Sequence, residues 1–91
     1  MKKSQLPKKI KDRVLYHIVW ADSQSPSNPG WLEPCEIDPR VSMIDSVGYL
    51  AHENKESITL VAHLTDCGGQ GMGFMTIPKS AIVKKSLLSI C

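Results

Sequence analysis

Long hydrophobic runs are missing from this chain. No stretch approaches the roughly 18 apolar residues of a membrane-spanning helix. The basic start continues as Leu6-Pro7-Lys8-Lys9-Ile10-Lys11, without the apolar segment that a secretory signal needs. Cysteine is scarce as well. Cys35, Cys67 and Cys91 are odd in number, widely spaced and include no Cys-x-x-Cys pair, which argues against the disulfide framework of a small secreted domain. Aromatic side chains number five, Tyr16, Trp20, Trp31, Tyr49 and Phe74, most of them suited to a core. Few are left for the stacking platform of a single-strand binder.

Recognisable chemistry is equally sparse. His17, His52 and His63 show no ligand spacing with the cysteines, and His63 and Cys67, four apart, straddle a strand and a turn; no metal site and no cofactor are predicted. Nothing local brings a nucleophile, a base and an orienting group together, so no catalytic residue is assigned and the chain is not expected to be an enzyme. Gly68-Gly69-Gln70-Gly71-Met72-Gly73 has the glycine content of a phosphate loop, but a strand follows it where the nucleotide-binding versions need a helix. A hairpin loop is the simpler reading. Its backbone could still approach an anion closely.

Charge is unevenly placed. Residues 1–13 hold six basic side chains against Asp12, a net +5, whereas the remainder holds five basic and eight acidic side chains, a net −3. Residues 1–12 therefore read as a basic flexible leader and residues 13–91 as one small domain.

Within that domain the signal is β throughout. Arg13–Ala21 is rich in β-branched and aromatic residues and apolar on both faces, so it needs cover on both sides. Asp22–Gly30 is a loop of turn-forming residues. Trp31–Pro39, with Pro34 and Pro39, is extended without being a central strand. Arg40–Glu53 is a long strand whose faces switch, which predicts a bulge or bend near Ser46-Val47-Gly48. A polar turn at residues 53–56 leads to the strand Ser57–Thr65. The glycine loop precedes Met72–Ile77, and a short proline-led turn precedes Ile82–Ile90. The expected fold is all-β, a small five-stranded SH3-like or Sm-like barrel with a basic N-terminal leader. The expected core is Val14, Ile18, Trp20, Val47, Ile58, Leu60, Ala62, Phe74, Ile77, Ile82 and Val83.

The ordered series Trp20-Ala21-Asp22, Gly30-Trp31, Ser46-Val47-Gly48-Tyr49-Leu50, Ile58-Thr59-Leu60 and Ile77-Pro78-Lys79 resembles a group of small bacteriophage and prophage proteins of unknown function. The resemblance covers the body but not the basic leader. It implies a small β-barrel in the cytoplasm of a bacterial host, and no activity. Three readings stand side by side. One is a non-enzymatic phage accessory protein, a homo-oligomer that binds a small nucleotide signal and so counters host defence. Another is an Sm-like RNA- or DNA-binding regulator that uses the lysine-rich leader. The last is a module that blocks a host protein. No membrane partner is expected. The candidate ligand-binding residues are Trp20, Asp22, Ser23 and Trp31, where two tryptophans flank a polar loop, with Gly69 and Gln70 of the glycine loop. The plainer reading of Trp31 is a cap on the barrel end.

Overall fold

The computed structural model describes residues 6, 8–23, 30–36 and 40–90; the expectations for residues 1–5, 7, 24–29, 37–39 and 91 lie outside the described residues. Five strands form a single antiparallel sheet: β1 (Val14–Asp22), β2 (Ser42–Glu53), β3 (Ser57–Leu64), β4 (Gly71–Pro78) and β5 (Ile82–Ile90). Their order is β4-β3-β2-β1-β5. The protein is all-β, as its β-branched runs predict. The proline-led turn before the last strand is a 3-10 turn at Lys79–Ala81, and a second one spans Pro34–Glu36. That second turn corrects the extended reading of this stretch. The fixed φ of Pro34 suits a first helical turn, and the Glu36 N–H closes it on the Glu33 carbonyl at 2.9 Å.

The sheet curls toward a barrel without closing. Ile18 of β1, Ile58 and Leu60 of β3 and Ile77 of β4 form one buried cluster, with Tyr16, Trp20, Leu50 and Ile82 packed against it. Curling also brings Ser46 of β2 to Met75 of β4, two strands away, where the hydroxyl donates to the thioether at 3.8 Å. Register decides which side chains join the core. Ile18 lies opposite Ser46 and Trp20 opposite Ile44, whereas Val47 faces His17 on the outer surface.

Val47 is therefore exposed, contrary to expectation. Phe74 pairs with Val61 on the face of β3 and β4 opposite the core cluster, and it is exposed too. Val83 is exposed because it bulges: Val19 pairs with Lys84 and Trp20 with Ile82, leaving Val83 between them without a partner in register. Ala62 lies beyond the core cluster, opposite the irregular Gly73, and is exposed. Val14 is half-buried, whereas Val61, absent from the expected core, is fully buried. The predicted bulge in β2 is displaced. Pairing with β1 runs unbroken through Ser46, Val47 and Gly48, and the irregularity falls at Ala51, between Leu50↔Leu60 and His52↔Thr59. Gly48 has a different role. A Cβ there would come within 3.0 Å of the Val61 carbonyl oxygen, so glycine lets β2 and β3 approach.

One end of the barrel is tied by charge. Lys79 Nζ lies 2.8 Å and Lys85 Nζ 3.5 Å from Glu53 Oε2, linking β2, the 3-10 turn and β5. The Lys79 hydrogen bond, aided by the charge of Lys85, holds the Glu53 carboxyl below its ordinary value despite the opposing effect of burial. A folded value below the unfolded one contributes stability above the unfolded pKa, and that stability is lost as pH falls through the folded value. Glu53→Gln should therefore cost about 0.5–1 kcal/mol at neutral pH. It should also weaken the acid dependence of stability. Urea unfolding at pH 7 and at pH 4 checks both; equal losses at the two pH values would contradict the assignment.

Candidate functional site

The β3–β4 loop is built around Thr65. Its N–H donates to the Gln70 carbonyl at 3.0 Å, and the Gln70 N–H donates to Thr65 Oγ1 at 3.2 Å. Gly68 turns the chain at a φ of 74°, where a Cβ is unfavourable, and its N–H donates to the Thr65 carbonyl at 2.9 Å. The leader lies against this loop. The Ile10 N–H donates to the Gly68 carbonyl at 2.9 Å. Arg13 closes the junction: its guanidinium donates to the carbonyls of Ile10 at 3.1 Å, Thr65 at 2.9 Å and Asp66 at 3.1 Å. It also stands 6.0 Å from the Tyr49 ring centroid, within cation–π range.

Between the leader and the sheet lies an open cavity of about 280 Å³. Lys8, Lys9 and Ile10 form one wall and the loop residues Gly68–Gly71 another. Ala51, Thr59, Leu64 and Phe74 supply a largely apolar floor, with His52 at the side. Cations, a close-approaching backbone and an aromatic ring on one concave surface suit a ligand with an anionic end and a flat apolar end. Gly71 is part of the shape, since a Cβ there would come within 2.9 Å of both Phe74 Cζ and Val61 Cγ2.

The six candidate residues divide between two places. Gly69 and Gln70 line this cavity. Trp20, Asp22 and Ser23 lie at the other end of β1, seven or more residues beyond Arg13, which is over about 20 Å along an extended strand. Trp20 is engaged in the barrel wall, donating its indole N–H to Ser46 Oγ at 3.0 Å. Asp22 is half-buried at the strand end and Ser23 is exposed. Trp31 is fully exposed, so the expected role as a barrel cap is not what the structure shows. Sequence adjacency therefore does not produce one site. Nothing local in the sequence groups Lys8, Lys9, His52 and Phe74, because their meeting depends on where the leader lies.

Cys67 adds reactivity to the same loop. The Gly69 N–H, and next the Thr65 hydroxyl, hydrogen-bond its sulfur and lower its pKa below the ordinary thiol value. It is fully exposed, so its thiolate is open to reagents. Alkylation of Cys67 by iodoacetamide should follow a pH curve centred below that of a free cysteine, about 8.5. Thr65→Val should move the curve upward. Mass mapping of the labelled site checks this, and a Thr65→Val curve superimposed on the wild type would contradict it.

Among the described residues no group of three or more His, Cys, Asp and Glu side chains is placed to hold a metal ion. No helix among them is long and apolar enough to cross a membrane. No protein family, curated protein or solved structure matches the chain.

Proposed function

We propose that this chain is a non-enzymatic binding protein of the phage accessory kind, a homo-oligomer that sequesters a small nucleotide. The observation that carries this reading is a cavity lined together by Lys8 and Lys9, by Gly68–Gly71 and by Phe74. Phosphate charge would meet the lysines and loop, and the base would lie on Phe74. Sequestration asks only for affinity, and holding a signal molecule is enough to silence it.

The test is calorimetric titration of the full chain with a panel of linear and cyclic mono- and dinucleotides. One or more members should bind at micromolar levels, and the double substitution Lys8→Glu, Lys9→Glu should weaken binding at least tenfold. No binding across the panel would overturn the nucleotide reading. The exposed Trp31 favours a second reading, in which the chain blocks a host protein through this aromatic anchor. A pulled-down partner lost in Trp31→Ala would support that alternative.

A further inference from the structure

The two free edges of the sheet are protected very unequally. Natural edge strands are kept from pairing by lysines, inward-pointing charges and bulges. β5 has all three. Lys84 and Lys85 lie at its middle, and Lys85 sits opposite the buried Ile18, its ammonium 5.3 Å from the Tyr16 ring centroid. Its register against β1 shifts twice, at Val83 and at Leu88.

β4 has none of them. Gly71-Met72-Gly73-Phe74-Met75-Thr76-Ile77-Pro78 carries no charge. Its register against β3 is unshifted from Ser57↔Pro78 to Leu64↔Gly71. Met72, Phe74 and Met75 are all exposed. Gly73, at a φ of 78°, and Pro78, without an N–H, bound a regular stretch from Phe74 to Ile77.

The geometry points to β4 as the pairing edge for a second copy of this chain, β4 against β4 about a two-fold axis. This rests on the reading of the protein as a homo-oligomer and names the surface. The occupant follows from charge. A strand with no charged residue offers no opposite charge to the lysines of a neighbour's β5, and two β5 strands would set lysines near one another. Two β4 strands bury like apolar side chains against like, and a two-fold contact closes, whereas a β4-to-β5 contact propagates to a ring or fibre. Identical antiparallel strands must pair about one residue facing its own copy, here Met75 or Thr76. Phe74 then belongs to two structures at once, since it lines the cavity and lies on the pairing edge.

Sedimentation equilibrium of the full chain without nucleotide tests the interface alone, since the titration above reads the ligand separately. The wild type should show twice the chain mass. Phe74→Lys and Thr76→Lys, made separately so that one misfolded variant does not decide, should show a single chain mass with the strand signal in circular dichroism retained. Leu88→Lys on β5 should leave the dimer intact. A monomeric wild type, a dimer that survives both β4 substitutions, or dissociation by Leu88→Lys would each overturn the proposal.

Discussion

Ile58→Ala should remove much of the protein's stability. Five hydrophobic side chains are buried among the described residues: Ile18, Ile58, Leu60, Val61 and Ile77. Ile58 is fully buried and faces Ile77 directly across β3 and β4. Truncating a buried isoleucine to alanine costs about 2–5 kcal/mol through lost transfer energy and the cavity left behind. Domains of this size have only about 5–10 kcal/mol in total. With a urea slope of about 1 kcal/mol per molar, the midpoint should fall by about 2 M or more. Val83→Ala is the matched control. Val83 is a β-branched residue in an edge bulge, 64% exposed, and its truncation should stay within about 0.5 kcal/mol. Similar midpoints for the two variants would show that the core is not where the register puts it.

Gly68→Ala should release the leader from the loop. Two costs act together. The residue holds a φ of 74°, a conformation that costs a side-chain-bearing residue about 1–2 kcal/mol. The new Cβ would also overlap the Ile10 carbonyl oxygen and lie 2.9 Å from its carbon. The obstacle is backbone, which cannot turn aside as a flexible side chain would. Relief requires moving Ile10, which breaks its hydrogen bond to Gly68 and shifts the carbonyl that Arg13 holds. Lys8 and Lys9 move with it, so the cavity loses its basic wall. Amide exchange at Ile10 should accelerate at least tenfold, while the β1–β5 amides remain protected. Nucleotide affinity should fall in parallel. An Ile10 amide as protected as in the wild type would show that the leader is held by something other than this glycine.

Much of the fold is legible in the sequence because local signals agree. The β-branched run Val14–Trp20, the polar turn at Asn54 and the proline before Lys79 each specify one element, and the structure has a strand, a hairpin and a 3-10 turn there. The Asn54 carboxamide oxygen accepts from the Glu56 and Ser57 N–H groups, both at 2.8 Å, which is why this residue type marks the turn. What each face packs against is less legible. Alternation places Val47 and Phe74 each on a face, but only pairing tells which face turns inward, and Val47 is set against His17 by the β1 register. A bulge costs the same kind of error. One residue inserted at Ala51 or Val83 reverses the pattern beyond it without any signature in composition.

The candidate site was half legible for a related reason. Gly69 and Gln70 belong to a loop whose glycines announce close backbone approach, and they do line the cavity. The other wall depends on Arg13 reaching carbonyls more than fifty positions away in sequence, and no local pattern encodes that contact. Trp20 illustrates the converse. A tryptophan beside an aspartate and a serine suggests a binding surface, yet its indole is taken up by Ser46 within the barrel wall. Its amphipathic side chain served the fold, and the exposed aromatic that faces the cavity is Phe74.

The proposed nucleotide site is the cavity between the leader and the glycine-rich loop. Native mass spectrometry of the full chain, purified gently from bacterial cells and then incubated with the nucleotide panel, tests it most directly. The expected result is a stable adduct whose mass identifies a nucleotide, at one per chain, and its loss in the Lys8→Glu, Lys9→Glu variant. A spectrum of bare protein under every condition, or an adduct indifferent to the two lysine substitutions, would contradict it.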